Sequence, residues 1–204
     1  MTDIQHWLTK WRLKANELKS SHVTFTLKRS SCPPIQLNGT SLPQPDEVKC
    51  LGMHLDRRLT WRKHITSKRR HPDLQLRKLY WIIGRKSQLS LENKLLLYKA
   101  ILKPIWAYGI QLWGTASNSN IDILERFQAK VLSIITGAPR YVPNAMIHRD
   151  LRVSTVKHAA RTYSITYHGR LVNHPNRVTP SLVRGLSYPR RFKRKHPQDL
   201  QTSF

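Results

Sequence analysis

Acidic residues are scarce in this chain: 11 Asp and Glu stand against 36 Lys and Arg in 204 residues, a formal charge of +25. Solubility asks for a net charge of only about 2–8 in a small domain. The surplus therefore suits a folded binder of polyanions and not an enzyme of acidic substrates. Cysteine is nearly absent. Cys32 and Cys50 cannot supply paired CxxC zinc ligands, nothing suggests an oxidising compartment, and both read as free thiols. No stretch reaches the roughly 18–20 uninterrupted apolar residues of a membrane span, and residues 1–14 lack a signal-peptide core. The expectation is a soluble intracellular protein, of nucleus or cytoplasm, with no membrane partner.

Catalytic motifs are missing as well. The ten histidines show no HxxxH or HxH spacing, and neither GxSxG nor a Gly-rich phosphate loop occurs. Two-metal phosphoryl transfer needs carboxylates converging on ions about 3.5–4 Å apart. Asp46 and Glu47 are adjacent and would face opposite sides of a strand, while Asp122 and Glu125 fall in a first helical turn, where carboxylates meet the helix dipole. The chain alone thus presents no metal site, no cofactor and no catalytic centre.

What is present is a core: 39% of residues are hydrophobic, enough for one domain or two small ones. Ile4, Trp7, Leu8 and Trp11 lie at helical spacing and predict a short helix over residues 3–14, ending near Asn16. Residues 22–27 alternate as a strand. Residues 35–42 read as a hairpin, because Asn38-Gly39 tolerates the positive φ angles of a type I′ turn. Residues 47–56 read as a further strand, in which Gly52 marks a bulge or a close approach of a ligand to the backbone.

From Leu59 the period changes to that of helices, with Pro72 starting or interrupting a basic one. Ser90 caps a long helix carrying the stripe Leu91, Leu95, Tyr98, Leu102, Ile105 and Leu112, with a kink at Pro104; residues 91–113 form the longest helical region. Ser119 and Asp122 resemble a capping box ahead of Ile121, Leu124, Phe127, Val131 and Ile134. Pro139 and Pro143 bracket a loop, and a weaker helix covers residues 156–171. After Pro175 the core signal fades into a basic tail, with six consecutive residues, 190–195, running Arg-Arg-Phe-Lys-Arg-Lys.

Residues 57–86 hold Arg57, Arg58, Arg62, Lys63, Lys68, Arg69, Arg70, Arg77, Lys78, Arg85 and Lys86 against the single acid Asp73. Such density suits a surface that tracks a phosphate backbone without reading bases. A solvated helix face is the competing reading. Trp61, Tyr80 and Trp81 are interleaved with these cations and could stack on bases, although core positions are the better reading for all three.

At this point the residues resemble a known family. Val48-Lys-Cys-Leu-Gly-Met-His-Leu-Asp-Arg-Arg-Leu-Thr-Trp61, followed by Lys63-His-Ile65, is similar to the segment just after the polymerase palm in reverse transcriptases of jockey-type non-LTR retrotransposons. Residues 79–98 and Lys103-Pro-Ile-Trp-Ala-Tyr-Gly-Ile-Gln-Leu-Trp-Gly114 resemble their thumb, as do residues 116–120, 124–128 and 141–144. These strings follow from no general helix grammar. The resemblance implies an α+β chain in which a short palm-like β segment with primer-grip strands (residues 1–58) precedes an all-helical thumb bundle and connection region (59–175), and the basic composition of residues 176–204 makes them a disordered tail.

Its implied partners are RNA template and DNA primer, together with an upstream palm and fingers. The family's catalytic Asp-Asp turn, which with Mg2+ serves the complete polymerase, lies ahead of the segment matched here, so the chain is expected to be inactive alone. Asn16 and Lys19 match the palm's Asn-x-x-Lys, making Lys19 the one catalytic candidate, as proton donor to the pyrophosphate leaving group. A solvated lysine at a helix end is the plainer reading. Leu51-Gly52 matches the primer-grip Leu-Gly, where an absent Cβ lets the backbone approach the primer terminus. The nucleic-acid-binding set is then Leu51, Gly52, Arg57, Arg58, Lys63, Lys68, Arg69, Arg70, Arg77, Lys78, Arg85 and Lys86. Departures from the pattern are Ala15, Leu18, Cys50 in place of the usual Tyr, Arg140 in place of Trp, and His71-Pro72, as in an eroded or 5′-truncated copy. The alternative function is a stand-alone basic nucleic-acid-binding module without polymerase activity.

Overall fold

The computed structural model describes residues 2–28, 32–176, 179, 195 and 197–202. The chain divides into two compact units, Met1–Thr60 and Trp61–Phe204. Small antiparallel sheets confined to the first unit and helices filling the second are compatible with the α+β class.

In the first unit, helix α1 (Thr2–Lys10) stops well short of Asn16. Asn16 instead caps a 3-10 turn, Glu17–Lys19, its side-chain oxygen accepting from the Lys19 N–H at 3.2 Å. The expected hairpin is present as β1 (Gln36–Leu37) and β2 (Thr40–Ser41), with Asn38 at φ 49° and Gly39 at φ 78°. Asn38 donates its amide to the Glu17 carboxylate at 2.6 Å, which holds that carboxyl below its ordinary range and ties the turn to the hairpin.

Two strand expectations are corrected. Residues 22–27 form no strand: the backbone bonds there are isolated, His22 N–H to Pro43 O and Thr26 N–H to Arg57 O, rather than a ladder, and alternation alone cannot supply a partner. Residues 47–56 are two strands, β3 (Glu47–Cys50) and β4 (Met53–Asp56), paired Cys50 to Met53 around a two-residue turn. Leu51 at φ 47° and Gly52 at φ 76° give it I′ geometry, so Gly52 is a turn residue and not a bulge. A leucine disfavours positive φ, which is why the sequence hides this turn.

The second unit opens with α2 (Arg62–Ile83), which runs through Pro72 without a break and is the longest helix among the described residues. Pro72 is buried, and packing of α2 on α6 (Asn118–Thr136) outweighs the lost backbone bond. Ser90 caps α3 (Leu91–Leu97) through the Asn93 N–H. A π turn (Tyr98–Leu102) then leads into α4 (Lys103–Ala107), with Lys103 N–H bonding back five residues to Tyr98 O. The register therefore shifts just before Pro104, and the chain breaks later, at Gly109 (φ 69°), ahead of α5 (Ile110–Trp113).

This shift corrects the expected stripe. Tyr98 and Leu102 are buried, but Leu91 and Leu112 are exposed, and the core face continues through Trp106, Ile110 and Trp113. Ser117, not Ser119, stands at the N-cap of α6, and it makes no side-chain cap bond there. Ile121, Leu124, Phe127, Val131, Leu132 and Ile135 line its buried face. The loop after it leads to an unanticipated short helix, α7 (Asn144–Asp150), before α8 (Val156–Val172). Gly114 sits where α5 meets α8: a Cβ there would lie 2.9 Å from that of Ala160. No helix among the described residues is long and apolar enough to cross a membrane. The basic run in the tail lies outside the described residues except Lys195.

Among the described residues His64, Lys94, Gln128 and Ser164 are the buried polar ones, and two of them tie segments of the helical unit together. Gln128 donates from one amide nitrogen to the Tyr98 hydroxyl (3.0 Å) and the Ser154 carbonyl (2.8 Å), while burial pushes the tyrosine's pKa upward and keeps it protonated. The Lys94 ammonium donates to the carbonyls of Gly84 (3.0 Å) and Ser87 (3.2 Å), closing the C-terminal end of α2. Replacing Gln128 by Leu should cost about 2–4 kcal/mol, because it takes this donor from the buried Tyr98 hydroxyl and the part-buried Ser154 carbonyl, whereas Tyr98→Phe should cost about 1 kcal/mol. Urea unfolding midpoints measure both, and an unchanged midpoint for Gln128→Leu would show the tie to be dispensable.

Candidate nucleic-acid interface

A helix turns 100° per residue, so the consecutive cations Lys68, Arg69 and Arg70 cannot share one surface. Lys68 places its ammonium 4.8 Å from the centre of the Tyr108 ring, where burial lowers its pKa. Arg69 pairs with Asp73 at 3.0 Å and lies 4.7 Å over the Phe127 ring. Only Arg70 of the three is exposed.

The exposed face of α2 is a seam of alternating four- and three-residue steps: Lys63, Ser67, Arg70, Leu74, Arg77 and Trp81, all exposed. Lys78 flanks it, and Arg85 and Lys86 follow beyond the helix end. Arg85 is partly occupied, since it donates to the Gly137 carbonyl at 2.9 Å and so caps α6. Contrary to the expected core positions, Trp81 and Tyr80 are exposed at 77% and 55%, whereas Trp61 is buried with its indole N–H donating to Thr115 Oγ1.

Asp73 sits beside this seam as the acid of a cross-helix cluster. It contacts Arg69, Arg77 at 3.8 Å, and Lys130 of α6 at 3.3 Å. Burial works to raise its pKa, but the hydrogen bonds and charges of Arg69 and Lys130 together hold it below the ordinary carboxylate range. Sequence reasoning missed Lys130 because only the packing of α6 on α2 brings it there. Asp122 and Glu125 are engaged at the N-terminus of α8, with Lys157 Nζ at 2.9 Å from Asp122 and the Lys157 backbone N–H donating to Glu125 at 2.9 Å.

The remaining candidates lie in the first unit. Arg57 is structural there: its guanidinium donates to the Lys28 carbonyl at 2.6 Å and lies 3.8 Å from Asp46. Arg58 is exposed, Leu51 is 80% exposed at the β3–β4 tip beside Gly52, and Lys19 is exposed at the end of its 3-10 turn. Among the described residues no three or more His, Cys, Asp or Glu side chains are grouped so as to hold a metal ion. The described cysteines are free thiols.

The exposed face of α2 is thus a cationic row edged by exposed aromatic rings. The chain is homologous to a segment of the RNA-directed DNA polymerases of non-LTR retrotransposons. It is 43% identical over 196 residues to the probable RNA-directed DNA polymerase from transposon X-element of Drosophila melanogaster. It is 38% identical over 208 residues to the RNA-directed DNA polymerase from mobile element jockey of Drosophila funebris, and 36% identical over 197 residues to the probable enzyme from transposon BS of Drosophila melanogaster. Each match covers 96% of this chain, and the chain spans 22% of each relative's length, matching a fragment of the polymerase. No family model and no solved structure matches it.

Asp73→Asn separates stability from charge. A depressed carboxylate pKa contributes stability that is present above the unfolded value of about 3.9 and is lost as pH falls through the folded one. The variant should therefore unfold at lower urea than the wild type at pH 6, and the gap should close as pH falls through the acid range below 4. At pH 7 the same change should raise affinity for polyanions by releasing Arg77 and Lys130, and a fall in affinity would contradict this account of the cluster.

Proposed function

We propose that the chain is the end of the palm, the primer grip and the thumb of a reverse transcriptase, and that it holds RNA template and DNA primer for chemistry completed by the rest of the palm and the fingers. The observation that carries this reading is the exposed cationic seam of α2, on a chain whose relatives are RNA-directed DNA polymerases. In this reading α2 tracks the phosphate backbone with Lys63, Arg70 and Arg77, supported by Lys78 and Lys86. The β3–β4 tip offers Leu51-Gly52 to the primer terminus. Lys19, held by the Asn16 cap, is the proton donor toward pyrophosphate, and carboxylates elsewhere in the polymerase bind Mg2+.

Retardation of a template–primer on a gel, paired with primer extension in Mg2+, tests this. The chain alone should retard nucleic acid and add no nucleotide, and incorporation by the chain alone would overturn the assignment. Replacing Lys63, Arg70 and Arg77 together by Ala should flatten the plot of log affinity against log salt by roughly two to three units on duplex, at about 0.9 per phosphate contact. A slope unchanged by the triple replacement would move the contacts off α2. Lys19→Ala should leave binding by the isolated chain unchanged, since its role is chemical, and a large loss would make it a phosphate contact instead.

A further inference from the structure

Trp81 has the wrong exposure for a residue of its kind. It is 77% exposed at the C-terminal end of the α2 seam, in line with Leu74 at 47% and with the exposed cations Lys63, Arg70 and Arg77. An exposed indole edged by a row of cations is a flat surface on which a ligand can bind. The charges around it narrow what that can be. A second copy of the chain, packed seam to seam, would set lysine and arginine opposite like charges, which is destabilising. An apolar protein face would have to desolvate the same cations without compensation. A polyanion that also carries flat, π-rich groups satisfies both halves of the seam at once.

We propose that Trp81 is a stacking platform for an unpaired nucleobase of a single-stranded nucleic acid whose phosphates run along α2. This rests on the reading of α2 as the backbone-tracking surface and adds to it a base contact. A base inside a duplex is already stacked on its neighbours, so the ligand is a single strand or a strand end, and a flat aromatic accepts any of the bases because each has a π face. The geometry sets a length. Lys63 and Trp81 are eighteen residues apart, roughly 27 Å along the helix at 1.5 Å per residue. A stacked strand rises about 3.4 Å per nucleotide and an unstacked one rises more, so roughly eight nucleotides is the most that a strand needs to span that distance.

The test uses the whole chain and single-stranded oligonucleotides of four to sixteen nucleotides, in DNA and RNA forms, each with an abasic counterpart. For the wild type, affinity should climb up to about eight nucleotides and gain little more per added nucleotide beyond that length. Trp81→Ala should weaken binding of the base-bearing strands by roughly 5- to 150-fold while leaving the abasic strands and the salt slope unchanged. Trp81→Phe should retain most of the affinity. Trp81→Leu should lose it as Ala does, because an apolar side chain without a π face cannot stack. Full affinity in the Leu variant, or equal losses on intact and abasic strands, overturns the stacking role. If the wild type binds and Trp81→Ala binds equally well, this inference fails and the backbone-tracking reading stands; if the wild type retards no polyanion, both fail. A difference between the DNA and RNA arms assigns the strand to one or the other.

Discussion

The helical unit depends on one amide. Gln128 reaches from the middle of α6 to the Tyr98 hydroxyl on the π turn and to the Ser154 carbonyl ahead of α8, so a single nitrogen fixes three segments far apart in sequence. A buried donor with no partner would destabilise each of them, and an apolar residue could not choose their register. Tyr98 opens the π turn at which the helical ladder slips, and beyond it Trp106 and, past the break at Gly109, Ile110 and Trp113 lie in the core. The position of the slip and the position of the hydrogen bond therefore determine each other.

With that core fixed, α2 is held along its length from the inside and left open on the outside. Lys94 closes its C-terminal end, Asp73 couples its middle to Lys130 of α6, and Trp61 anchors its start. A helix restrained in this way holds the backbone under its exposed cations in place, and such preorganisation lowers the entropic cost of binding any ligand along that face.

What the sequence made legible was local chemistry. Asn38-Gly39 announced its hairpin, Ser90 its helix, and the spacing of Leu124, Phe127 and Val131 the buried face of α6, because each is decided within a few residues. The Leu51-Gly52 turn escaped because leucine is an unusual occupant of positive φ. The strand over residues 22–27 was suggested by an alternation that has no ladder partner, and α7 is only seven residues long with Ile147 alone buried. For the candidate site, the density of charge was legible but its direction was not. Lys68 and Arg69 turn to aromatic rings, Arg57 and Arg85 serve backbone carbonyls, and Trp81 faces outward. Each depends on partners distant in sequence, which composition and periodicity do not encode.

The seam on α2 also sets the ionic conditions in which that helix is comfortable. Lys63, Arg70 and Arg77 follow one another at seven-residue intervals, about 10.5 Å along the axis. At about 0.15 M ionic strength the screening length is roughly 8 Å, so each of these charges is largely hidden from the next, while the Asp73 contacts lie well inside that length. In about 0.01 M salt the screening length grows to roughly 30 Å, and the whole row repels itself at once. Dilute buffer is thus the harsher solvent for this helix, and moderate salt does quietly what a row of acidic neighbours would do in a more balanced protein.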